Sequence, residues 1–166
     1  MRPITILAIS DTHFARKDQE LDPRIVDRFD AVDYIVHAGD YAHESLVETL
    51  ASTGKFAGVY GNMDPFAVRD MVPEINSFQL EDVTIGIIHG WGAPDDLIRH
   101  IHPLCVDHGF DIVIFGHTHN KLEAEYKGIK YYNPGSPVDK MFAKENTFLI
   151  LTVASKADVH ADFIKL

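Results

Sequence analysis

An α/β layered fold is the architecture this sequence predicts, and three observations carry the prediction. Short apolar runs rich in Val, Ile, Phe and Tyr recur along the chain, segments at helical spacing lie between the early ones, and the later ones are separated by turn signals. Apolar runs of this length bounded by polar residues are buried strands, and a strand, helix, strand order belongs to layered α/β proteins.

Taken in order, strands are expected at Ile4 to Ile9, Tyr34 to Val36, Phe56 to Tyr60, Val83 to Ile88 and Ile112 to Phe115. Helical spacing covers Glu44 to Ala51 and Asp95 to Cys105. Pro94 suits the opening of the second helix, where its missing N–H costs nothing, whereas Pro103 should kink or end it. Beyond residue 121 come Leu122 to Tyr126, a Lys127-Gly128 turn, Ile129 to Tyr132, Thr147 to Val153 and Val159 to Ile164. These are expected as an antiparallel meander that completes a second sheet. Two sheets packed face to face, with helices outside, would bury all of these runs.

The 166 residues, 46% of them hydrophobic, are enough for one well-buried core, so a single domain over residues 1–166 is expected. No apolar run approaches the roughly 20 residues that span a bilayer, and the chain enters a strand without a basic region and cleavage site. A soluble, cytoplasmic protein without a membrane partner is the expectation. The formal charge of -10 disfavours a nucleic-acid partner, whose affinity rests on Lys and Arg neutralising phosphates. Cys105 is the one cysteine and sits in an apolar stretch, which excludes an intramolecular disulfide and points to a buried, unreactive thiol.

Each of the five early strands is followed at once by a polar cluster: Asp11-Thr12-His13, Gly39-Asp40, Gly61-Asn62-Met63-Asp64, His89-Gly90 and Gly116-His117-Thr118-His119. Ligands of open α/β sheets bind beyond the carboxyl ends of strands, so these clusters would converge if the strands are neighbours. Carboxylate, amide oxygen and imidazole together suit Mn, Fe, Zn, Ni or Co. Glycines beside them allow sharp turns and close backbone approach. Alone, an Asp-x-His or a Gly-Asp is no more than a polar turn. His117 and His119, two apart, would project to one side of an extended chain.

In this order the clusters resemble the blocks of the calcineurin-like metallophosphoesterases: Asp-x-His, Gly-Asp, Gly-Asn-x-Asp/Glu, His and Gly-His-x-His. Length and spacing resemble the small single-domain bacterial and archaeal phosphodiesterases of that family, from Ile6 to about Val138, including the loop Asn133-Pro134-Gly135-Ser136. The resemblance implies a four-layer α-β-β-α sandwich of two mixed sheets flanked by helices. It also implies a binuclear centre with Asp11, His13 and His119 on one divalent ion, Asn62, His89 and His117 on the other, and Asp40 bridging both. Manganese is favoured, with Ni, Zn, Fe or Co as alternatives, and metal-bound hydroxide would attack the phosphorus. Asp40, Asn62 and Asp64 form the implied catalytic set, Asp64 by orienting an imidazole from behind the metals.

Two departures from the family pattern matter. Many larger relatives carry a histidine where this chain has Met63, which cannot protonate a leaving group. A missing general acid costs roughly 10² to 10⁴ in rate, so diesters and activated aryl esters are favoured over alkyl monoesters. Trp91 stands where many small relatives have a second histidine, and is expected to pack at the pocket rim. His37, within a strand, is expected to be a satisfied core residue, and His43, His100, His102, His108 and His160 match no block. The expected substrate is a small or accessible phosphate ester, bound by loops around Arg16, Lys17, Trp91 and Ser136. The family also implies possible self-association. Alternatives are a noncatalytic scaffold, as in the retromer complex, or a nuclease, which the acidic balance and short length oppose.

Overall fold

In a computed structural model, residues 2–166 are described. Alternation within single strands explains the layers. In β1 (Ile4–Ile9) the side chains of Ile6 and Ala8 point one way, and those of Leu7 and Ile9 the other, all fully buried. Ile6 and Ala8 join Val36, Ile85, Ile87, Ile112, Ile114 and Leu151 in a core between two sheets. Leu7 and Ile9 join Ile35 under the helices α1 (Pro23–Val26) and α2 (Glu44–Ala51), through Ile25, Leu46, Val47 and Leu50. A third cluster, Val113, Phe115 and Tyr131 with Leu97, Ile101 and Cys105, seats α4 (Leu97–Asp107) on the outer face of the second sheet. Strands covered on both faces are apolar throughout, which is why these runs are legible in sequence. The result is the expected four-layer α-β-β-α sandwich.

The first sheet has the order β10-β9-β1-β2-β3, with β2 at Tyr34–His37, β3 at Phe56–Gly58, β9 at Thr147–Val153 and β10 at Val159–Lys165. The second has the order β4-β5-β6-β8-β7, with β4 at Ile75–Leu80, β5 at Val83–Ile88, β6 at Ile112–Phe115, β7 at Leu122–Tyr126 and β8 at Ile129–Asn133. Strands β1, β2 and β3 run parallel, as do β5, β6 and β8. The carboxyl ends of β1, β2 and β3 therefore share one edge of the first sheet, and those of β5 and β6 share one edge of the second.

One expectation is corrected, one strand is added, and of the two alternatives for Pro103 the ending of the helix is ruled out. The carboxyl-terminal strands form no single meander: β7 and β8 extend the second sheet, whereas β9 pairs antiparallel with β1 and carries β10 into the first. Strand β4 had no apolar run to announce it, because an edge strand with Asn76, Ser77 and Gln79 has only one neighbour and one packed face. Helix α4 runs four residues past Pro103, after a 3₁₀ turn at Pro94–Asp96. An internal proline costs about 3 kcal/mol. Burial of Leu97 and Ile101, at about 1.5–3 kcal/mol each, together with Cys105 and a 2.8 Å hydrogen bond between His102 Nδ1 and Tyr131 Oη, outweighs it. Among the described residues, no helix is long and apolar enough to cross a membrane.

A short helix, α3 (Phe66–Arg69), follows the Gly61–Asp64 loop and was not expected. Cys105 is buried, and burial raises its thiol to about 11, matching the expected inert cysteine.

Candidate metal centre

The loops that leave β1, β2, β3, β5 and β6 meet where the two sheets splay, and bring all seven expected side chains together. The backbone sets their positions. Asp11 N–H donates to Gly39 O (2.9 Å) and His13 N–H to Asp40 O (3.0 Å), locking the first two loops in register. His117 N–H donates to the Asp11 carboxylate at 3.1–3.2 Å, joining the second sheet to the first. Asp11, His13, Asp40, His117 and His119 all have positive φ, between 45 and 72°. Left-handed backbone costs a non-glycine residue about 1–3 kcal/mol and persists where surroundings enforce it. His117 and His119 thus share a side through this left-handed turn and not through the extended chain expected for them.

The donor atoms converge. His13 Nε2 and His119 Nε2 are 3.2 Å apart, and Asp11 Oδ1 lies 3.4 Å from His119 Nε2. Asn62 Oδ1 lies 3.1 Å from His89 Nε2 and 3.2 Å from His117 Nδ1. Asp40 Oδ2 stands between these sets, 3.6 Å from His13 Nε2 and 3.3 Å from His89 Nε2. Asp11, His13 and His119, and likewise Asp11, Asp40 and His89, each bring one ligating atom within 4.8 Å of the others.

Outer hydrogen bonds fix which ring nitrogens face inward. His89 donates from Nδ1 to Ala38 O (2.7 Å), His119 from Nδ1 to Asp139 Oδ2 (2.5 Å), and His117 from Nε2 to Gly92 O (3.1 Å). Each neutral ring is left with a lone pair aimed at the cluster, the tautomer a metal ligand needs. The donor set fits divalent transition ions.

Electrostatics agree with a site built to hold positive charge. Burial pushes the Asp11 carboxyl above its ordinary range, against the pull of His89 and His119. Burial acts the same way on Asp40, but the hydrogen bond and charge of His89 bring it below that range. For His89, burial opposes the charged form, and the bond that a protonated ring makes to Asp40, with the charges of Asp11 and Asp40, raises it nonetheless.

The glycines are needed where backbones touch. At Gly39 (φ 98°) a Cβ would lie 2.5 Å from His89 Nδ1 and 2.8 Å from Gly61 N, and at Gly116 it would collide with Ser10 Oγ.

Two residues behave otherwise than expected, and a third as expected. Asp64 meets no imidazole among the described residues. Its Oδ2 accepts from Asp40 N–H (2.9 Å) and Gly61 N–H (2.8 Å), and its Oδ1 from Ala42 N–H (2.8 Å), so it ties the second and third loops together by their backbones. Ser136 is buried and donates from Oγ to Asp11 O (2.7 Å), which turns it away from any substrate. His37 is the satisfied core residue expected, held by Thr12 Oγ1 and Gly39 N–H.

Asp139 was missed altogether. Besides His119, its carboxylate accepts from the N–H groups of Met141, Phe142 and Ala143, while its own N–H donates to Ser136 Oγ. Its one sequence signal is its place three residues after Ser136. The loop before it is fastened to the Gly116–His119 turn through Asn133 Nδ2, which donates to Gly116 O and Thr118 Oγ1.

Comparison with known proteins gives the chain its relatives. A probable metallophosphoesterase from Methanothermobacter thermautotrophicus is 29% identical over 150 residues, 90% of this chain and 87% of the relative. Among solved structures, Vacuolar Protein Sorting 29 of Cryptosporidium parvum superposes with a TM-score of 0.74 at 18% identity, covering 99% of this chain and 98% of the other. A protein described as a novel archaeal phosphodiesterase does so with a TM-score of 0.70 at 20% identity, covering 97% and 100%. At those identities the structures share the fold alone. The model of the calcineurin-like phosphoesterase superfamily domain matches residues 4–156, and the chain belongs to that family.

Proposed function

We propose that this protein is a phosphodiesterase dependent on two divalent ions, acting on a small or accessible phosphate ester. The observation that carries the proposal is the convergence of Asp11, His13, Asp40, Asn62, His89, His117 and His119, with the ring lone pairs of His89, His117 and His119 facing inward. Asp11, His13 and His119 would hold one ion, and Asn62, His89 and His117 the other. Asp40 is the better candidate for the shared ligand. Asp11 Oδ1 also approaches His89 Nε2 (4.0 Å), but its carboxylate is engaged by His117 N–H, whereas Asp40 Oδ2 faces both imidazoles. Ions bound there would polarise the phosphoryl oxygens and acidify a water molecule. Asn62, on the exposed side, faces an arriving ester, while Asp64 and Ser136 hold the loops from behind. Manganese and a cytoplasmic setting belong to the same proposal.

Preference for diesters rests on Met63. Its N–H donates to Asp40 Oδ1 (2.8 Å), which places it beside the centre, and its side chain is 63% exposed with no proton to give. The phosphodiesterase described for the archaeal neighbour lends support. The test is metal content by elemental analysis, with hydrolysis of bis(p-nitrophenyl) phosphate and p-nitrophenyl phosphate before chelation, after it and after return of Mn. The diester should be cleaved faster than glycerol 2-phosphate, an alkyl monoester assayed alongside, and activity should be lost and restored in step with metal. Activity that survives complete metal removal overturns the proposal.

A scaffold role is the second reading, prompted by the Vacuolar Protein Sorting 29 likeness and by the exposed Phe66 and Met141. It is opposed by Asp11, a buried carboxylate whose charged form is disfavoured by burial and by the neighbouring Asp40 and is costly to keep without a further cation.

A further inference from the structure

A cleft of about 560 Å³ opens directly from one half of the centre, with Asn62 and His89 in its wall. A cleft of the same volume beside Phe14 and Leu21 contains none of the seven side chains. An ester whose phosphorus reaches the centre therefore has the first cleft as a place for one of its substituents.

The chemistry of that cleft is specific. Arg69 donates from Nε to Asp64 O (2.8 Å) and from Nη2 to Asn62 O (3.2 Å), which pins the guanidinium to the loop that carries Asn62. Both acceptors are carbonyls, and among the described residues Arg69 forms no salt bridge, so the cleft lining carries one guanidinium and one carboxylate, Glu74, whose charges offset one another. The guanidinium carbon lies 5.0 Å from the centroid of the Tyr60 ring, over its face, a cation–π contact. The Trp91 indole, 48% exposed, lines the same cleft, as do Ile75, Ile88 and Leu104. Glu74 is the one carboxylate in the lining, and with it present the Arg69 charge gives an anionic substituent no net advantage.

We propose that the Tyr60–Arg69–Trp91 cleft is the subsite for a neutral, planar aromatic substituent of the ester, an aryl group or a nucleobase. The proposal rests on the phosphodiesterase reading. Flat π surfaces, a guanidinium over one of them and an apolar wall favour a ring over an aliphatic chain. Glu74 leaves a second phosphate no net advantage, and the volume lies within the roughly 300–1,000 Å³ of ordinary small-molecule sites.

Trp91 is the one tryptophan of the chain, so intrinsic fluorescence reports on this cleft directly. The Mn-loaded protein is titrated with methylphosphonate, phenylphosphonate and an adenosine methylphosphonate ester. The ring-bearing ligands should quench or shift the emission and bind at least about tenfold tighter than methylphosphonate, as stacking of one ring is expected to give. Tyr60→Leu should reduce that advantage to about threefold or less while leaving methylphosphonate affinity unchanged. Trp91→Leu, read by inhibition of diester hydrolysis, should do the same. Tighter binding of the adenosine ligand identifies a nucleobase, and tighter binding of the phenyl ligand a simple aryl group. Equal affinity for methyl and phenyl ligands, or a phenyl advantage that both variants keep, overturns the subsite while leaving the centre intact. A protein that binds none of the three and cleaves no ester overturns the phosphodiesterase reading, and the subsite with it.

Discussion

The two halves of the centre differ in how firmly they are held. Around Asp11, His13 and His119 two of the three residues are braced by side chains from behind, Ser136 Oγ on Asp11 O and Asp139 on His119 Nδ1, with three backbone N–H groups on Asp139 in turn, while among the described residues the His13 ring makes polar contacts only with His119 and Asp40. Around Asn62, His89 and His117 only His89 is deeply buried. Asn62 is exposed, and His117 leans on the carbonyl of Gly92, next to the exposed Trp91. Ligand partners of this kind preserve geometry, and mobility is tolerated where a substrate must enter. On the proposed function, the side-chain-braced half fixes its ion and the half beside the Trp91 cleft receives the ester.

Asp40, between the halves, should show the largest effect. Asp40→Asn keeps the side-chain shape and removes the charge, so both ions should be lost, with activity falling by more than the roughly 10–100-fold typical of residues that only support a ligand. His13→Ala should retain one ion. Elemental analysis after dialysis decides the matter, and two ions per chain in both variants would show that Asp40 is not shared.

Asp139→Asn tests whether the bracing belongs to one half. Either the imidazole or some of the loop N–H groups must lose a carboxylate oxygen. Titration calorimetry should find one of two metal sites weakened by about 10–100-fold and the other unchanged. Equal weakening of both would mean that the residue supports the loop and not the ligand.

What was legible in the sequence follows the same division. The seven side chains could be found because each sits directly after an apolar strand, and strand runs announce themselves when both faces are buried. Their bracing could not. Asp139 lies twenty residues beyond His119 and meets it only through folding, and Asp64 acts on backbone N–H groups, which leave no residue type to recognise. The left-handed backbone at Asp11, Asp40 and His117 is likewise set by contacts between loops. The split of the last four strands between sheets was hidden for another reason. The apolar alternation of β9 shows that it is buried, but not that its partner is β1 at the other end of the chain.

Met63→His probes the open half. A histidine there would be anchored by the same N–H bond to Asp40 and would bring a proton donor to the exposed side. Cleavage of an alkyl monoester should rise by about tenfold, short of the full 10² to 10⁴ because the surrounding contacts were not shaped for it. Cleavage of nitrophenyl esters, whose leaving group needs no proton, should stay constant. Comparing kcat for the two classes measures this, and an equal change in both would remove Met63 from the account of diester preference.

The smallest effect concerns acid stability in the braced half. His37 Nδ1 accepts from Gly39 N–H (3.1 Å), and Gly39 O in turn accepts from Asp11 N–H. The neutral ring therefore carries its hydrogen on Nε2, facing Thr12 Oγ1 at 3.0 Å, and protonating Nδ1 would set one N–H against another. Burial first, and the charge of His89 second, hold His37 well below the ordinary histidine value. The unfolded chain thus takes up a proton below about pH 6.5 that the folded chain refuses, so stability falls as pH drops, by at most about 1.4 kcal/mol per unit. Above that pH the residue contributes no slope. In His37→Gln this part of the slope disappears, and the stability gap from wild type should narrow by about that amount between pH 6 and pH 5. Urea unfolding of the metal-free proteins measures it, since the other titrating groups are common to both and cancel in the difference. Parallel curves would mean that the folded chain accepts the proton after all, and that the backbone under Asp11 is less rigid than its hydrogen bonds imply.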